Sequence, residues 1–133
     1  MKLLGIDYGE MRTGLALGNS NEKIAIDFGV LANESVSSLI KKIAEIVKNE
    51  GVERVVVGLP RGVHAGETKQ SKKVRRFVAQ LEKQLVVSVV FEDERHTSIE
   101  FSHVPKKERD AKGIDALSAL SILQGYIDKH VNF

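Results

Sequence analysis

Three stretches of this sequence place acids where a hard cation would be useful. Asp7 closes the apolar run LLGI at 3–6, Asp93 and Glu94 follow the apolar run VVSVVF at 86–91, and Asp115 lies near the start of the last helical stretch. A carboxylate at the mouth of a buried strand costs free energy unless something positive meets it. Gathering several carboxylates raises that cost, and a divalent cation with oxygen ligands relieves it. The chemistry on offer is metal-assisted hydrolysis of a phosphodiester, which needs no protein nucleophile. That suits a chain with no cysteine, where disulfides and thiolate-bound zinc are excluded as well. Each acid also has a plainer reading. Asp7 could be a turn residue, Glu94 part of the charged surface run EDER, and Asp115 a first-turn acid favoured by the helix dipole.

The acids can meet only if the fold brings them to one edge. Residues 2–7, 12–19 and 22–31 read as three strands, the last alternating through Ile24, Ile26 and Phe28 as a half-buried face. Their short connections make them antiparallel neighbours. The period then changes to helical at Val36, Leu39, Ile40, Ile43 and Val47, with Ser35 as cap and Gly51 as stop. A strand at 54–60 follows, then a helix over about 67–84 with Val74, Phe77, Val78, Leu81 and Leu85 facing inward. The strand at 86–91, a polar segment at 95–110 and a helix over about 112–128 complete the chain. That last helix carries Ala116, Leu117, Leu120, Leu123 and Ile127 as its apolar side. Strands that follow crossover helices are most easily parallel. The expectation is an α/β fold with a mixed five-stranded sheet, three antiparallel strands then two parallel, and helices on both faces. In such a sheet the carboxyl ends of the strands make the ligand crevice, and Asp7, Glu94 and Asp115 converge there.

The 133 residues suit one domain, 1–133. With 42% hydrophobic and 29% charged residues the chain is ordinary for a globular protein, neither disordered nor fibrous. No stretch is long enough to span a bilayer and no signal peptide is evident, so a cytoplasmic location without membrane is expected. A net charge of +2 is too small to identify a partner, but its distribution says more. Lys69, Lys72, Lys73 and Arg76 fall at i, i+3, i+4 and i+7, one helix face, and Lys106, Lys107, Arg109 and Lys112 form a second cluster. Either is an ordinary solvated surface or a seat for a phosphate backbone.

Four blocks now point to a family. GIDYG with Arg12 and Gly14 behind it, VGLP at 57–60, DERHTS at 93–98 and KGIDALSALSIL at 112–123 occur in order across nearly the whole chain. Together they resemble the small bacterial Holliday-junction-resolvase-like proteins, provisionally described as pre-16S rRNA nucleases, within the ribonuclease H-like superfamily. The resemblance implies a ribonuclease H-like fold and a metal-dependent nuclease with an acidic triad. The triad falls on Asp7, Glu94 and Asp115, which would hold Mg²⁺ or Mn²⁺, two ions in all. Arg12 and Arg95 fall on family arginines, and Thr97 and Ser98 on its hydroxyl pair. With Lys112, the two arginines are candidates to hold phosphate oxygens, and Lys69, Lys72, Lys73 and Arg76 to hold flanking backbone.

The implied substrate is nucleic acid, either structured RNA at the 5′ end of pre-16S rRNA, with pre-ribosomal particles as partners, or branched DNA. Two rivals stand beside this. A sugar-kinase-like or actin-like ATPase shares the GIDYG opening but needs a second phosphate loop and more chain. A nonenzymatic RNA- or ribosome-binding protein would keep the basic faces, yet three unneutralised acids would repel its ligand. Two departures from the family pattern also stand. RGVHAGET at 61–68 replaces the usual loop with its Asn and Asp, and the segment between Ser98 and Lys112 is shorter than usual.

Overall fold

The computed structural model describes residues 1–60, 66–93 and 114–130, with only the backbone described for 114–117. Eight elements follow in order: β1 (Lys2–Tyr8), β2 (Arg12–Asn19), β3 (Ile24–Ala32), α1 (Val36–Glu50), β4 (Arg54–Leu59), α2 (Lys69–Glu82), β5 (Ser88–Asp93) and α3 (Ile114–His130). The sheet order is β3-β2-β1-β4-β5, so β1 is central. β1 pairs antiparallel with β2 and parallel with β4, β2 pairs antiparallel with β3, and β4 pairs parallel with β5. This is the expected mixed sheet of ribonuclease H-like proteins, helices on both faces.

Alternation along the strands divides two cores. Leu4, Ile6, Leu15, Leu17, Val55 and Val57 pack beneath α1 and α2, whose stripes supply Leu39, Ile43, Val74, Phe77 and Leu81. Burying one such side chain contributes about 1.5–3 kcal/mol. On the opposite face Leu3, Ala16 and Val56 meet Ala119, Ile122, Leu123 and Ile127 of α3. The helix ends obey their local signals. Ser35 Oγ accepts from the Ser38 amide, and Gly51 closes α1 at φ 68°. Thr68 and Ser71 form a reciprocal cap on α2.

Three expectations need correction. The side of β3 carrying Ile24, Ile26 and Phe28 is the exposed one, at 52%, 57% and 37%, and Ala25 is the buried residue. β3 is an edge strand, and Leu31 near its end packs against the core beneath α1 and α2. A bulge also interrupts its alternation. Leu17 pairs with Ile26 and Ala16 with Asp27, yet Leu15 pairs with Gly29, so Phe28 is the extra residue. The strand expected at 86–91 lies two residues later, because residues 85–87 cross from α2 to the sheet and leave Val86 wholly exposed. Finally, α3 buries Ala119, Ile122, Leu123, Tyr126 and Ile127. Leu120 is only partly buried, and the side chains of Ala116 and Leu117 lie outside the described residues.

Candidate active site

β1 is the strand that presents the first acid. Leu3 and the open side of Gly5 face α3, so alternation puts half-buried Asp7 on that face as well. Gly5 has no room for a side chain: a Cβ there would lie 2.7 Å from Leu123 Cβ and 3.1 Å from the Ala119 carbonyl oxygen. One row earlier, a Cβ on Gly18, the partner of Leu3, would meet Leu123 and Ile127. Hence α3 runs antiparallel to β1, with its first turn toward the end of the strand where Asp7 lies. The next residue, Tyr8, faces the other way. Its ring stacks on Phe77 of α2 with centroids 4.2 Å apart, and its carbonyl accepts a hydrogen bond from Gln70 Nε2 at 3.3 Å. The end of β1 is therefore fixed from the α2 face, and the middle of the strand is packed against α3.

The turn after Asp7 is held just as firmly. Gly9 N–H donates to the Arg12 carbonyl at 3.0 Å, and the Asn33 amide donates to the Met11 carbonyl at 2.9 Å. Asn33 Nδ2 donates to the Gly9 carbonyl at 2.7 Å, and Thr13 Oγ1 donates to Asn33 Oδ1 at 2.8 Å. Thr13 is fully buried. Arg12 opens β2 at the exposed end of this turn. Sequence reasoning missed Tyr8, Thr13, Gln70 and Asn33. Only Asn33 carried a signal, as a turn-prone residue between a strand and a helix, and nothing linked it to Gly9.

Lys69, Lys72, Lys73 and Arg76 are exposed along α2, as their spacing predicts. Lys73 Nζ lies 3.1 Å from Glu10 Oε1, an exposed pair that ties α2 to the turn but contributes little stability. Arg75 is engaged elsewhere, with Glu67 at 2.6 Å and over the Phe91 ring at 5.2 Å.

Glu94, Arg95 and Lys112 lie outside the described residues, as does the side chain of Asp115; the backbone of residue 115 is in the first turn of α3. Among the described residues no three His, Asp or Glu side chains gather to hold a metal ion. Glu92, 6% exposed, faces α3 instead and pairs with Lys129 Nζ at 2.7 Å. No helix among the described residues is long and apolar enough to cross a membrane.

Known proteins agree with this architecture. The chain is 35% identical to a protein of Caldanaerobacter subterraneus subsp. tengcongensis, provisionally named a pre-16S rRNA nuclease, over 99% of both chains. A protein of Desulforudis audaxviator with the same provisional name is 35% identical, over 96% of this chain and 94% of that one. Thermus thermophilus RuvC superimposes with a TM-score of 0.60 at 16% identity, over 97% of this chain and 95% of that one. The fowlpox virus resolvase, solved with Holliday junction DNA, gives 0.61 at 10% identity over 99% of this chain and 100% of that one, a likeness of fold. The profile of the RuvX family, Holliday junction resolvase, matches residues 1–129, and the chain belongs to that family of hydrolytic enzymes.

Proposed function

We propose that the protein is a divalent-metal-dependent endonuclease acting at the 5′ end of pre-16S rRNA, in the cytoplasm, as one domain spanning residues 1–133. The observation that carries this reading is a half-buried acid, Asp7, near the carboxyl end of the central strand. The nearly full-length match to relatives with that provisional name supports it. Asp7, Glu94 and Asp115 are the residues assigned to hold the cations, since carboxylate oxygens are the donors that Mg²⁺ and Mn²⁺ prefer. When bound, two such ions supply Lewis-acid chemistry, a more acidic water and a stabilised leaving oxygen. Arg12 and Arg95 take phosphate oxygens through their planar forks, and Lys112 takes one as a point charge. Lys69, Lys72, Lys73 and Arg76 carry flanking backbone of a structured RNA or of a pre-ribosomal particle.

Cleavage of branched DNA is the second reading, favoured by the family's own description. Because the same site can hydrolyse either backbone, a substrate panel separates the two. Replacing Asp7 with Asn tests the site itself. An amide cannot match the carboxylate's charge toward a cation, so cleavage should fall by about 100-fold or more, roughly 3 kcal/mol in the barrier. The assay uses a pre-16S 5′ fragment and a four-way DNA junction, each with Mg²⁺ and with Mn²⁺, alongside a thermal melt. Cleavage within a few-fold of wild type would remove Asp7 from the site.

A further inference from the structure

We infer that Asn33 is a positioning residue for the active edge, an inference that rests on the metal-nuclease reading of Asp7. The turn between β1 and β2 starts two residues after Asp7 and ends on Arg12, so it joins the strand end that carries the acid to the backbone that carries the arginine. Asn33 fixes that shape from outside the hairpin. Its backbone amide holds the Met11 carbonyl at 2.9 Å and its side-chain amide holds the Gly9 carbonyl at 2.7 Å. The side chain is itself oriented by buried Thr13, whose hydroxyl donates to Oδ1 at 2.8 Å. Only an amide oriented this way can both accept from Thr13 and donate to Gly9. Gly9 admits no side chain, because a Cβ there would lie 2.5 Å from the Arg12 carbonyl oxygen. Without the Asn33 side chain, the Gly9 carbonyl turns to water and the segment after Asp7 samples other conformations. Ligand geometry is sensitive to such changes, and residues that support ligands commonly alter affinity or activity by about 10–100-fold when replaced.

The experiment uses the full chain. In Asn33→Ala, Mn²⁺ affinity measured by calorimetry without nucleic acid should fall by about 10-fold, and kcat by a similar factor. The melting midpoint should drop by only a few degrees, as expected for about 1 kcal/mol. Thr13→Val keeps the shape but removes the orienting hydroxyl, so it should move Mn²⁺ affinity the same way by a smaller factor. A variant Asn33→Ala that melts lower yet binds Mn²⁺ and turns over like wild type would reduce Asn33 to a structural clasp and overturn the inference. If Asn33→Ala does not fold, wild-type Mn²⁺ affinity in Thr13→Val overturns it equally. A wild-type protein that neither binds Mn²⁺ nor cleaves any substrate has a different signature: it removes the nuclease reading and this inference with it.

Discussion

At the scale of single residues, one firm constraint on the packing of α3 is a missing side chain. Gly5 lets α3 rest directly on the central strand, and the obstacles to a Cβ there are the Leu123 side chain and the Ala119 backbone. Gly5→Ala should therefore overpack this contact and cost about 1–3 kcal/mol, read as a lower midpoint in urea at unchanged slope. The consequence reaches the proposed active edge, because the helix that would shift is the one whose first turn contains residue 115. Gly125 is the milder counterpart on α3. A Cβ there meets Glu92 Oε2 at 3.4 Å, an ordinary contact, so Gly125→Ala should be tolerated. The same denaturation series measures both.

At the scale of elements, α2 allows its surface and its packing to be tested separately. Val74, Phe77, Val78 and Leu81 are buried while Lys69, Lys72, Lys73 and Arg76 are exposed. Changing those four to Gln should leave stability nearly unchanged and flatten the salt dependence of nucleic-acid binding. Each lost phosphate contact lowers the slope of log affinity against log salt by about 0.9 on duplex and about 0.7 on a single strand. Lys73 already shares its charge with Glu10, so the other three should carry more of the change. Filter binding across a salt series checks it, and an unchanged slope makes the stripe an ordinary solvated surface. Stripes of this kind are what the sequence shows best: α1 and α2 alternate apolar and charged residues at helical spacing, so their inward faces can be read directly. α3 cannot be read that way. ALSALSILQGYI is apolar or small on every side, and its orientation is chosen by close approach to Gly5 and by Gln124, which binds the backbone of Lys23 and Ala25. Asp7 is legible as a polar break in an apolar strand. The Asn33 clasp is not, because it joins residues 24 positions apart through one amide.

At the scale of the whole molecule, the β3 edge of the sheet exposes a row of apolar side chains. On β5 Arg75 lies over Phe91, which is still 36% exposed, and Glu92 is covered by Lys129, while Ile24, Ile26, Phe28 and Val30 are all exposed on β3 at the opposite edge. Ile24 and Ile26 are more than half exposed, so replacing both with Lys should change stability by no more than about 0.5 kcal/mol per site. It should also reduce concentration-dependent association, read by light scattering over a protein dilution series. The bulge that misled the alternation of β3 has its own consequence here. With Phe28 as the extra residue, Gly29 at φ 100° and its amide already bonded to Asp27 Oδ1, the outer edge is broken into two short stretches. A strand arriving from solution can match one stretch but is thrown out of step at the other. The same irregularity in β3 should therefore hinder this oily edge from templating a continuous cross-β ladder and disfavour fibril growth.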